Sequence, residues 1–166
     1  MEAQAGLKPC VGCGALVPDI EGPTHRYLEA SPGCWAVYGE VLEREYSDHR
    51  YWPAHQLTVD AYAVQHPGKP SPQTIQSVAV HLISLYLVLE RDCDPDEATN
   101  AMQQATTRKQ RFSWLKPPAS FGEGTVVYVR DAKNPAEHKE RVREWARSAW
   151  EVWSAHHETV RRWAAD

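Results

Sequence analysis

The chain has 166 residues, 42% of them hydrophobic and 24% charged, with 18 Lys+Arg against 22 Asp+Glu and a formal net charge of -4. That length and composition suit one globular domain with its own core and exclude a disordered or low-complexity chain. The charge offers no field to draw in a polyanion, so no nucleic-acid partner is expected, and the densest basic stretch, residues 108 to 111, reads as a solvated helix end.

The N-terminus, "MEAQAGLK", has no apolar core of the kind a signal peptide needs, which points to a cytoplasmic protein with reduced cysteines. The next stretch, "KPCVGCG", places Cys10 and Cys13 two residues apart with Gly12 and Gly14 beside them. In that knuckle two thiolates from one turn reach a single tetrahedral ion, and the glycines let backbone N–H groups approach sulfur. Cys34 falls in the first turn of a helix after Ser31-Pro32, where free N–H groups and the helix dipole favour a thiolate. The nearest imidazole is His25 in "GPTHRYL", so the expected zinc ligands are Cys10, Cys13, His25 and Cys34, with His49, His55 or His66 as replacements for His25. A thioredoxin-like redox pair is disfavoured because nothing before Cys10 reads as a strand, and Cys93 has no evident partner.

Four cap-plus-proline pairs, Ser31-Pro32, Ser71-Pro72, Asp94-Pro95 and Asn134-Pro135, mark helix starts. They predict helices over 32–47, 72–91, 95–109 and 135–164, with a further one over 53–66. The apolar run "VAVHLISLYLVLE" from Val78 reads as a buried helix, too short to span a bilayer, and no membrane partner is expected. "GEGTVVYVRD" (122–131), rich in β-branched residues between Gly and Asp, reads as a short strand or hairpin arm. In the last helix Val142, Ala146, Ala149, Trp153, His156, Val160 and Trp163 alternate steps of three and four, one apolar stripe expected to pack on the helix around His81. The predicted fold is thus a mainly α, compact helical bundle with a zinc-knuckle N-terminal loop and one short β-hairpin or strand. It forms a single domain over 1–166: a metal-binding loop to 31, a helical core over 32–115, a loop and strand over 116–134, and a C-terminal helix.

Eight histidines invite a second reading. His66, His81 and His156 or His157 lie on faces expected to be buried, and Asp60 would need a His or Arg from another segment if buried. Together they are candidates for a catalytic or second metal site in a metal-dependent hydrolase or transferase. Against it, no phosphate loop, G-x-S-x-G or H-E-x-x-H is present. The first functional expectation is therefore a non-enzymatic binding or adaptor protein with a structural zinc, meeting a protein partner through Trp145, Trp150 and the loop from Lys116 to Gly124. A third is a redox or metal sensor in which Cys34 releases zinc on oxidation.

The stretches "CVGCGALVPDIEGPTHRYLEASPGCWAVYGEVLEREY", "HQLTVDAYAVQHPGKPSPQTIQSVAVHL" and "VREWARSAWEVWSAHHETVRRW" resemble a family of small bacterial proteins known only as a domain of unknown function. The resemblance covers nearly the whole chain. It implies a bacterial, cytosolic setting and places Cys10, Cys13, His25, Cys34, His66 and His81 in the family's pattern without assigning them roles. A looser architectural likeness is to DinB-like helical bundles, whose H-x-x-x-H pair this chain lacks.

Overall fold

The computed structural model describes residues 6–108 and 111–166. The ends of the helix predicted over 95–109 and of the basic stretch fall partly on 109 and 110, outside the described residues. Among the described residues, seven α-helices and one two-stranded hairpin form the fold.

The hairpin is where the sequence suggested only a loop. Strands β1 (Leu7–Pro9) and β2 (Leu16–Pro18) pair antiparallel with Lys8 opposite Val17, and the cysteine knuckle is their connection. Cys10 N–H donates to Ala15 O (2.8 Å), Gly14 N–H donates to Cys10 O (3.0 Å), and Gly14 takes φ 79°, a left-handed turn that glycine adopts without strain. Val17 points inward, fully buried, onto α1 (Pro32–Ser47). Ser31 does not cap α1 with its side chain; its hydroxyl instead accepts the N–H of Val11 (2.9 Å), tying helix start to knuckle.

A 3₁₀ turn over Trp52–Ala54 leads into α2 (His55–Gln65), the central helix, buried on almost every side against α1, α3 and α6. It ends at His66, and the following Pro67-Gly68 cannot continue it; Gly68 takes φ 70°. Helix α3 (Pro72–Leu89) starts with a capping box between Ser71 and Thr74. By length and composition alone the whole of α3, with a mean hydropathy of 1.3 over 18 residues, is long and apolar enough to span a bilayer, so the expectation that its apolar run is too short is corrected. Here it is a core helix, packed against α2, α4, α6 and α7. Helix α4 (Pro95–Thr106) carries the second capping box, Asp94 with Glu97.

Residues 126–130, predicted as a strand, form a short helix, α5 (Val126–Arg130). A helical turn buries Val126 and Val129 together against α1 and α6, so packing overrides β-propensity. The guanidinium of Arg44 donates to the carbonyls of Val129 (3.3 Å) and Arg130 (2.7 Å), satisfying groups the short helix leaves open.

The C-terminal stripe is interrupted: α6 (Pro135–Glu151) and α7 (His157–Ala165) are separated by a 3₁₀ turn over Ser154–His156. The break keeps three indoles inside. Trp145, Trp150 and Trp153 are buried, and their N–H groups donate to Gln65 Oε1 (2.8 Å), Glu90 Oε1 (3.1 Å) and Val64 O (3.2 Å). Trp145 and Trp150 therefore hold the core together and do not form the exposed surface predicted from the sequence. The packing partner is shared, α6 lying mainly on α2 and α7 on α3.

Candidate metal centre

Cys10, Cys13, Cys34 and His66 converge, each offering one donor atom, with all four atoms within 4.8 Å of one another and all four residues buried. Cys13 Sγ and Cys34 Sγ stand 3.9 Å apart, while His66 Nε2 is 3.7 Å from Cys10 Sγ and 3.5 Å from Cys34 Sγ. A disulfide would need sulfurs at ~2.05 Å. A tetrahedron with Zn–S of about 2.3 Å and Zn–N of about 2.0 Å has S···S edges of ~3.8 Å and S···N edges of ~3.5 Å. The spacing fits the ion and excludes the covalent bond.

Each donor is held by its own element. The hairpin presents Cys10 and Cys13, the first turn of α1 presents Cys34, and the end of α2 presents His66. Gly12 N–H and Ser31 N–H each donate to Cys10 Sγ at 3.4 Å, and the Tyr62 hydroxyl donates to Cys34 Sγ at 3.4 Å. His66 Nδ1–H donates to Tyr62 O (2.7 Å), which fixes the tautomer and leaves the Nε2 lone pair facing the sulfurs. A Cβ on Gly12 would lie 2.1 Å from Glu29 O and 2.6 Å from His66 Cδ2, so only glycine lets the knuckle approach the imidazole.

The electrostatics ask for a cation. Cys13 and Cys34 as neighbours, outweighing burial, hold the Cys10 thiol far below its ordinary value, while the nearby sulfurs and burial push Cys34 far above it. Burial opposes charging His66, but the sulfurs of Cys10 and Cys13 raise it to about 9. Without a metal, Cys10 ionises readily while ionisation of Cys34 is resisted; a dication in their midst removes that conflict.

His25, expected as the fourth ligand, stays outside the cluster, and His66 from the set of replacements stands there instead. His25 Nδ1 accepts the N–H groups of Tyr27 and Leu28 (both 3.2 Å) and its ring packs edgewise on Trp35 and Tyr27. It shapes the loop that carries Glu29 to Gly12. His49 is exposed, and His55 is engaged elsewhere.

The remaining candidate histidines, His81, His156 and His157, form no second metal-holding cluster among the described residues. His81 Nδ1 pairs with Asp60 (2.8 Å), His156 donates to Lys116 O (2.8 Å), and His157 donates to Trp150 O (2.9 Å) while stacking on the Trp150 ring. Asp60 is fully buried and does meet the demand for partners: besides His81 it accepts from Gln56 Nε2 (2.8 Å) and Ser84 Oγ (2.5 Å).

One polar centre was missed from the sequence. Glu45, near the end of α1, is fully buried and accepts from His138 Nε2 (2.8 Å), His55 Nδ1 (3.0 Å) and Thr58 Oγ1 (2.6 Å). Burial raises its carboxyl, yet these three donors outweigh burial and hold it below the usual range. Arg44 Nη1 lies 3.3 Å from His138 Nδ1 and has only protons to offer, so Nδ1 is the acceptor there and the proton given to Glu45 is on Nε2. A signal was available, since Glu45 continues the stripe of Cys34, Val37, Tyr38 and Val41.

In comparison with known proteins, a family model described as a family of unknown function aligns with residues 8–154. No curated protein and no solved structure matches the chain.

Proposed function

The chain belongs to that family, DUF5946, and from this starting point we propose that its four buried donors bind one Zn2+ as a structural ion in a non-enzymatic binding protein of the cytoplasm. The observation that supports this most is the completeness of the donor set. Three sulfurs and one imidazole fill all four tetrahedral positions in a buried site, leaving no open position for water or substrate, as in structural and unlike catalytic zinc centres. Thiolate-rich donors select zinc over magnesium or calcium. The ion would fasten the hairpin to the start of α1 and the end of α2.

Elemental analysis of untagged protein tests this. One zinc per chain is expected in the wild type, His25→Ala and His81→Ala, and none in Cys34→Ser or His66→Ala. Metal retained in His66→Ala but lost in His25→Ala would sink the ligand assignment, and iron in place of zinc would sink the choice of ion. The alternative of a metal-dependent enzyme with a second, histidine-based site has less support, because His66, His81, His156 and His157 each have separate partners.

A further inference from the structure

A cleft of about 310 Å³ opens between the start of α2 and the start of α4, lined by Trp52, His55 and Gln56 on one side and Asp94, Asp96 and Thr99 on the other. It lies at the far end of α1 and α2 from the metal centre; eleven residues separate His55 from His66, about 16 Å of helix. Its aromatic wall is fixed from behind. His55 Nδ1–H donates to the buried Glu45, and the imidazole stacks under Trp52 with centroids 4.5 Å apart and planes at 12°. Tyr46 packs beside both rings, its hydroxyl 3.4 Å from His55 Nε2. Despite this packing, Trp52 and Tyr46 stay 48% and 66% exposed.

The floor is fixed too. Thr99 donates to Gln56 Oε1 (2.9 Å), and Gln56 Nε2 donates to Asp60 (2.8 Å), so these side chains are already oriented before any ligand arrives.

The chemistry of the lining is one-sided. Its charged groups are the carboxylates of Asp94 and Asp96, no Lys or Arg among the described residues lines it, and the aromatic rings present electron-rich faces. A helix N-terminus ordinarily invites an anion, but this one is closed. Asp94 Oδ1 accepts Glu97 N–H (3.0 Å), Glu97 reaches back to Asp94 N–H (3.3 Å), and Pro95 has no N–H. The Nδ1–H of His55 is committed to Glu45 and is not offered to the cleft.

We infer that this cleft is a binding site for an organic ammonium or guanidinium group, seated against Trp52 and facing Asp94 and Asp96. The inference rests on the reading of the protein as a binding module and names the ligand chemistry that module would take.

The test is an NMR titration of the zinc-loaded protein, following the Trp52 indole N–H and the backbone amides of residues 94–99. The probes are benzylammonium, as a free amine, and the peptide acetyl-Gly-Arg-Gly-amide, as a protein side chain, with benzyl alcohol, benzoate and the Gln peptide as matched controls. Saturable shifts by about 10 mM from either cation and from none of the controls are expected, and the tighter cation identifies the source. The double substitution Asp94→Asn with Asp96→Asn keeps a good cap and should weaken binding roughly tenfold by removing two partly screened charges. Trp52→Ala should weaken it by a similar factor, read on the amides. Benzoate binding as well as benzylammonium, or saturation by neither cation, overturns the inference. Zinc stoichiometry measured on the same samples separates this failure from failure of the metal reading.

Discussion

Replacing Glu45 with Gln changes one oxygen to an NH2 in a fully buried site and leaves volume nearly constant, so its effect isolates charge and hydrogen bonding. His138 cannot adapt, because Arg44 holds its proton on Nε2, and Thr58 shares the same carboxylate oxygen, Oε2. The amide oxygen must therefore stay on that side, and the NH2 turns to His55, which has to move its proton from Nδ1 to Nε2 to accept it. Three hydrogen bonds to a charged acceptor become neutral ones, a loss of about 1 kcal/mol each, or roughly 3 kcal/mol in total. For a chain of this size that lowers Tm by about 6–12 °C. The pH dependence gives a second check. Glu45 is held below its ordinary value of 4.5, so its contribution is fully present above that pH and disappears as pH falls through the lower folded-state value. Urea unfolding of wild type and Glu45→Gln from neutral to acid pH should show the gap closing below pH 4.5, and 15N spectra should show His55 alone changing tautomer. A difference at neutral pH under about 0.5 kcal/mol, or one that stays constant through the acid range, would refute the account of a charged, three-donor site.

The knuckle yields a paired prediction on glycines. Gly12→Ala drives a Cβ into Glu29 O and the His66 ring, and should lower metal retention under a competing chelator at least tenfold with a loss of about 2 kcal/mol or more; Gly39→Ala, on the exposed face of α1 with nothing within 4 Å of its Cβ, should stabilise by about 0.5–1 kcal/mol. Urea midpoints and chelator competition decide both, and a tolerated Gly12→Ala would mean the loop carrying Glu29 yields freely. Trp145→Phe leaves Gln65 Oε1 buried without its indole donor, while the Gln65 amide still donates to Phe121 O and Gly124 O; a loss of about 1–3 kcal/mol is expected by thermal melting, with no change in metal content.

Local chemistry was readable in the sequence and long-range geometry was not. The proline-marked helix starts at Pro32, Pro72, Pro95 and Pro135 all stand where the sequence placed them, because a helix start is decided within a few residues, even though Ser71, Asp94 and Asn134 cap with their side chains and Ser31 does not. Cys10, Cys13 and Cys34 were readable for the same reason: knuckle spacing and first-turn position are local. The fourth donor was not. His66 is 32 residues beyond Cys34 and His25 only nine before it, and proximity along the chain favoured the wrong imidazole. The useful signal was "QHPG", a helix stop that places His66, just past the end of α2, against the cysteines. Residues 126–130 and the aromatic C-terminus failed differently. Valine content and tryptophan spacing describe what a segment prefers in isolation, whereas the burial of Val126 and Val129 against α1 and of Trp145 over Gln65 depends on neighbours that arrive from elsewhere.

Those neighbours are organised by one antiparallel pair. Cys34 and Glu45 are eleven residues apart on α1, as are His66 and His55 on α2, so the two helices meet at both ends through side chains of opposite chemical demand. At one end three sulfurs and an imidazole could hold a cation; at the other a buried carboxylate is satisfied by two imidazoles and a hydroxyl. Between them Tyr38 and Tyr62 stack with ring centroids 3.8 Å apart. A slip of one turn, about 5.4 Å, would break all three contacts together, so register is fixed by chemistry at the ends more than by the apolar stripe, which tolerates sliding. The same fixing transmits outward: the metal end sets the hairpin against α1, and the carboxylate end sets His55 beneath Trp52. On this argument, loss of the metal should loosen the hairpin first and leave the Trp52 wall intact, because Glu45, His138 and Thr58 hold that end without it. Hydrogen exchange on metal-free protein reads the order directly. Amides of the hairpin and the start of α1 should lose protection while those of the start of α2 keep theirs; simultaneous loss at both ends would show a single cooperative unit in place of two independent clasps.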